Sequence, residues 1–237
     1  MIADALYADM VTQSARLRRE NPLLRKAAEG TLTAEQVAHY LVNVLHLLRH
    51  TPTFLERAQK RALEAGELAL AEHYAQKAKE EEGHDRWAER DVSRMMRCAP
   101  DAKHEIVSGL REMMSLTLAV IEEHPALILA YMFFNETLIV LLGDEFLANL
   151  EARCGIPRTS MTAVGNHVEL DRDHVDEALA TIDSLVADPQ MLPRMREVLH
   201  EAIFAFERFS SQIAGDNDGA SLDSEASQDA DVVRRVA

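Results

Sequence analysis

The stretch from Pro125 to Leu142 leaves this chain few ways to fold. Apart from Asn135, Glu136 and Thr137 it is apolar throughout. Pro125 suits the first turn of a helix, and Gly155 and Pro157 end the segment near Cys154. A helix that is apolar on all sides has to be buried. The run is too short, and too polar at one end, for a comfortable membrane span. Other elements of the same chain must therefore wrap it. Its one carboxylate, Glu136, then lies deep inside, where an unpaired charge costs several kcal/mol. Glu136 requires an arginine or lysine partner, a proton or a metal ion.

The remainder reads as helices able to do the wrapping. Ala, Leu, Glu and Arg are plentiful, aromatic residues make up only 5 %, and Gly and Pro are few, a balance that favours an all-α protein. Helices are expected over Ile2–Arg19 and in a short piece up to Gly30. Thr33 with Gln36 forms a capping box that opens a long helix to about Ala65, with Pro52 as a point of kinking or breakage. Further helices are expected over Glu67–Met96, from a cap at Asp101 to His124, over Thr159–Val186 and over Gln190–Ile213. The domain therefore spans residues 1–214. The segment 215–237 holds six acids against Arg234 and Arg235 and little that could pack, so it is expected to be a disordered acidic tail.

Three segments place metal-ligand types on faces that should point inward. His167, Asp171 and His174 form H-x-x-x-D-x-x-H, which stacks on one helical face. Ser160, Val164, Ala178 and Ile182 continue that stripe, while Glu169, Arg172, Asp173, Asp176 and Glu177 look solvated. Glu81 and His84 form an E-x-x-H pair on a stripe with Tyr74, Ala78, Ala88, Val92 and Met95. A Glu three residues before a His is common on charged helices, so this pair alone says little. Glu136 supplies the third segment. Polar groups on core-facing stripes need partners. Three imidazoles and three carboxylates suit two ions with mixed N/O ligands, as in iron or manganese sites for O2 chemistry. A structural zinc site would favour Cys and a closed shell. Cys98 and Cys154 belong to no motif and read as reduced thiols. Met95, Met132, Phe133 and Phe134 are candidates for a substrate pocket or for plain core.

An E-x-x-H pair, a Glu about fifty residues on and H-x-x-x-D-x-x-H about thirty residues later resemble the pattern of haem-oxygenase-like di-iron oxidases and oxygenases, also called iron-containing redox enzymes. UndA-type fatty-acid decarboxylases are relatives, and TenA- and PqqC-type enzymes are more distant ones. The resemblance implies a single compact haem-oxygenase-like bundle of about seven helices. It also implies two iron ions, the second labile, with O2 as co-substrate; manganese is the alternative metal. Glu81, His84 and His167 would hold one ion, Asp171 and His174 the other, with Glu136 bridging or joining the second. Some members supply a further carboxylate from the earlier long helix. Here residues 36–55 contain no Asp or Glu. His46 and His50 lie there on one face with His39 and Asn43, as substitute ligands, as supports for ligands, as substrate contacts or as ordinary helix residues.

The implied activity is O2-dependent oxidation of a small amino-acid-like or fatty-acid-like substrate. The competing readings are a metal-independent enzyme of the TenA or PqqC type, in which Cys154 could serve as nucleophile, and a metal-free helical binding or regulatory protein. A net charge of −15, from 40 acidic and 25 basic residues, with no basic stripe, argues against nucleic acid. Met1–Met10 has no positive region and is not a secretory signal. A cytoplasmic protein without membrane partners is expected, with a homodimer as a reasonable assembly.

Overall fold

A computed structural model describes residues 1–186 and 188–216. Among these, nine α-helices and two short 3-10 turns follow one another without a strand. They are α1 (Ile2–Glu20), α2 (Pro22–Glu29), α3 (Ala34–Ala65), α4 (Leu68–Glu80), α5 (Asp85–Cys98), α6 (Ser108–Glu123), α7 (Ile128–Cys154), α8 (Thr162–Leu185) and α9 (Met191–Ala214). Of the acidic tail expected over 215–237, residues 217–237 lie outside the described residues. Gly215 caps α9 in the left-handed region, and the next residue, Asp216, pairs with Lys26 at 2.9 Å.

Local signals account for most boundaries. Asn21 accepts hydrogen bonds from the Leu23 and Leu24 amides, and Pro22 sits in the first turn of α2. Thr33 and Gln36 make the reciprocal capping box of α3. That helix runs through Pro52 without a break. Two expectations fail. The helix expected over Glu67–Met96 is divided at residues 81–84, where Gly83 takes φ +87°, a conformation that suits glycine. Asp101 caps nothing: α6 starts only at Ser108, because the chain between is tied to α3. There the His39 imidazole donates from Nε2 to the Glu105 carbonyl at 2.9 Å. The Asn43 side chain donates to the same carbonyl and accepts from the Val107 amide. His39 and Asn43 are thus spent on a loop.

The apolar run forms the centre of the bundle. Its 3-10 turn Pro125–Leu127 leads into α7, which packs against α1, α2, α8 and α9. Phe133 and Phe134 are fully buried. The segment Pro125–Cys154 is long and apolar enough to cross a membrane, but 67 % of its most apolar window is covered by the rest of the chain, as in a core helix. Small residues set the closest approaches. A Cβ at Gly143 would lie 2.6 Å from Val168 on α8, and one at Gly109 would lie 2.3 Å from the Phe209 backbone nitrogen on α9. α3 packs mainly on α4 and α5, with α6 beside it. Between α3 and α7 the bundle does not close fully, and a cavity remains.

Candidate metal centre

The inward stripe of α8 is built as its spacing demands. Val164, Val168, Asp171 and Val175 are buried, His167 and His174 are half-buried, and Glu169, Arg172, Asp173, Asp176 and Glu177 face solvent. Opposite this stripe the chain turns between α4 and α5, and that turn carries Glu81 and His84. One ligand atom each from Glu81, His84 and His167 lies within 4.8 Å of the others. Two come from this turn and one from α8, and His84 is buried. The His84 ring stacks on Trp87 at 4.4 Å and meets the His167 ring edge-on at 5.1 Å.

Each imidazole of the pattern is oriented through Nδ1. His167 donates to the Ala163 carbonyl at 2.7 Å, His174 to Asp171 Oδ1 at 3.1 Å, and His84 to Glu81 Oε2 at 3.2 Å. With Nδ1–H engaged, each Nε2 keeps its lone pair, the arrangement that presents a histidine to a metal. Burial works against ionisation of Glu81. The His84 hydrogen bond and the charges of His167, His84 and His174 outweigh it and hold the carboxyl below its ordinary range. The Asp171 hydrogen bond outweighs burial at His174 and raises its pKa. One carboxylate and two free imidazole nitrogens make a mixed N/O set open on the remaining sides, which fits a divalent iron or manganese ion.

The second half of the predicted set is nearby but less gathered. Glu136 and Asp171 line the same cavity as Glu81 and His167. Glu136 feels Asp171, His174 and Glu81, yet among the described residues only Glu81, His84 and His167 form a compact group of ligand atoms. Burial pushes the Glu136 carboxyl up to about 8, with Lys77 pulling the other way. Its Oε2 is enclosed without a hydrogen-bond partner among the described residues. Of the three partners that the sequence leaves open for Glu136, the structure supplies two without a metal: a nearby lysine and a raised proton affinity.

Two buried charged residues escape the pattern-based reading. Lys77 lies one turn before Glu81, on the side of α4 that also carries Tyr74, and is 7 % exposed. Asp91 is fully buried on α5, between Ala88 and Met95. It accepts from the Thr162 hydroxyl and from the Ala163 amide, each at 2.7 Å. It therefore caps the start of α8 from another helix and ties α5, which follows the E-x-x-H turn, to the helix that carries His167. Burial raises its pKa against these hydrogen bonds. The available signal for each was a charged residue in helical register with apolar neighbours.

The cavity is about 200 Å³ in volume. Its walls are apolar side chains of α3, α6, α7 and α9, among them Leu47, Phe54, Met113, Ile139 and Phe206, and its polar end is formed by Lys77, Glu81, Glu136, His167 and Asp171. Met132 lines it, whereas Met95, Phe133 and Phe134 are packed into the core. His46 and His50 are not among the lining residues. They pack on each other at 4.5 Å, and His50 Nδ1 donates to the His46 carbonyl at 2.8 Å. Cys154 ends α7, its thiol 3.7 Å from the Ala27 carbonyl, and is not a lining residue either.

No family model matches the chain, and no curated protein matches it in sequence. Solved structures match it closely in shape. A domain of unknown function with a haem-oxygenase-like fold from Shewanella denitrificans superposes with a TM-score of 0.76 at 17 % identity, covering 92 % of this chain and 96 % of that one. A CADD-like protein of unknown function from Nostoc punctiforme superposes with a TM-score of 0.63 at 14 % identity, covering 90 % and 99 %. The fold is haem-oxygenase-like.

Proposed function

We propose that this haem-oxygenase-like bundle is an iron-dependent, O2-using oxidase or oxygenase that acts on a small, largely apolar substrate. The observation that carries the reading is the convergence of Glu81, His84 and His167, two of which, Glu81 and His167, line an otherwise largely apolar cavity. Those three residues would hold the first ion, and Glu136, Asp171 and His174 stand beside it as donors for a second. Bound iron supplies the redox chemistry and the open positions for O2. The chain's own residues do the rest. The apolar walls favour a hydrocarbon portion of the substrate over bulk water, which suits a fatty-acid-like molecule better than an amino-acid-like one. The Ala163 carbonyl and Asp171 fix which nitrogen of His167 and of His174 faces the centre. Lys77 offsets part of the negative charge gathered around Glu136.

The test is anaerobic loading of metal-free protein with Fe(II), followed by exposure to O2. Wild type should bind iron and consume O2 with a change in its absorption spectrum, and His167→Ala should lose tight binding. Equal iron binding by His167→Ala and wild type, or no reaction of the loaded protein with O2, would refute the proposal. A metal-independent enzyme using Cys154 would instead keep its activity in chelator and lose it in Cys154→Ala; that thiol is not among the cavity-lining residues, which speaks against it.

A further inference from the structure

Lys77 can be no ligand to a metal ion while it carries its proton, yet the fold buries it. Lysine is almost never fully buried unless paired, and this one is 7 % exposed. Its Nζ lies 3.1 Å from Glu80 Oε2 and 3.7 Å from Glu177 Oε2, but among the described residues neither Nζ nor Glu80 Oε2 makes a hydrogen bond of good geometry. Glu177 is 64 % exposed, and a surface ion pair does not require a buried lysine. What burial achieves is proximity to the inner carboxylate. Lys77 lines the same cavity as Glu136, Asp171 and Glu81. As residue i to Glu81 at i+4, it shares the face that carries the first ligand set.

The two ligand sets differ in a way that matches this placement. Glu81, His84 and His167 are already gathered. Glu136, Asp171 and His174 are not, and Lys77 attracts Glu136 and opposes a positive charge on His174. We infer that the Lys77 ammonium is a built-in cation at the second half of the centre, so that the chain holds one ion tightly, on Glu81, His84 and His167, and a second only weakly. A divalent ion beside Glu136 meets twice the repulsion that a monovalent one would feel from the same ammonium. It must also compete with that ammonium for the carboxylate. The inference rests on the metal-centre reading above and goes beyond it, because it names the residue that sets the number of ions.

Metal stoichiometry tests it without recourse to activity. Wild type, Lys77→Met and Lys77→Arg are dialysed anaerobically against Fe(II) and analysed for iron, and each is loaded with Mn(II), freed of unbound and weakly held ion by gel filtration, and examined by electron paramagnetic resonance. Wild type and Lys77→Arg should hold one tight equivalent and show the six-line signal of an isolated Mn(II). Lys77→Met should hold two, with the second bound at least about tenfold more tightly than in wild type, and should show the signal of a spin-coupled pair. Two tight ions in wild type, or a single ion in folded Lys77→Met, overturns the inference while leaving the metal centre intact. No tight ion in wild type removes the metal centre itself. Should Lys77→Met fail to fold, the wild-type Mn(II) spectrum and Lys77→Gln decide the matter.

Discussion

Glu136 illustrates how one buried carboxyl can be tolerated in several ways at once. In the metal-free protein its pKa rises from 4.5 to about 8, chiefly through burial. Between those two values the native state retains a proton that the unfolded chain has released. Native protein then binds more protons than unfolded protein, so stability falls as pH rises across that window. Glu136→Gln does not titrate. It should match metal-free wild type near pH 4.5 and exceed it by about 2–3 kcal/mol above pH 8, a figure reduced from the full shift because the side chain is not wholly enclosed. Urea denaturation at a series of pH values measures the difference. Parallel stability curves for the two proteins would show that Glu136 ionises freely. The three site imidazoles follow a different rule: each is committed through Nδ1, so their orientation is set by hydrogen bonds made before any ion arrives.

Among the elements, the junction of α5 with α8 matters most to the site. The first turn of α8 has amides without intrahelical partners, and Asp91 supplies the acceptor from across the bundle. Arg94, one turn further along α5, donates to the Thr159 carbonyl just ahead of that helix. Asp91→Ala would leave the Ala163 amide buried and unmatched. A loss of about 1–3 kcal/mol is expected, together with faster amide hydrogen exchange over 162–167 and weaker metal binding. Asp91→Asn, which can still accept from one donor, should lose less. If hydrogen exchange in the first turn of α8 is unchanged in Asp91→Ala, that turn is held by packing alone. The division of α4 from α5 belongs to the same scale. It converts the expected continuous helix into a turn at 81–84, and both E-x-x-H ligands come from that turn rather than from a straight helical face.

For the molecule as a whole, the consequence of the fold is an apolar space that α3 and α7 leave between them, ending at the candidate centre. A ligand that binds only the native state raises the melting temperature with the logarithm of its concentration over its dissociation constant. Medium-chain fatty acids should therefore stabilise the protein, by about 3 kcal/mol at a hundredfold excess over the dissociation constant. Short polar amino acids at equal concentration should not. Ile139→Trp, which fills the cavity from α7, should abolish the shift in a thermal melt. Equal stabilisation of Ile139→Trp and wild type would mean that the acid binds elsewhere.

Much of this architecture was legible along the chain because it is local. Helix type, the capping box at Thr33, the buried α7 and the inward face of α8 depend on periodicity and on neighbours a few residues away. His167, Asp171 and His174 could thus be assigned to one inward face with no knowledge of what lay opposite. The same reasoning carried Glu81 and His84 to a common surface, though it missed the turn that Gly83 permits. What lies opposite depends on how distant segments cross. That Glu81, His84 and His167 meet while Glu136 stands apart, that Lys77 reaches the cavity, and that Asp91 caps a helix seventy-two residues along follow from helix packing across the bundle. The close approach at Gly143 is one of the contacts that set it. Periodicity tells which face of a helix is buried; only the packed bundle decides which buried faces touch, because that depends on contacts between residues the sequence keeps far apart.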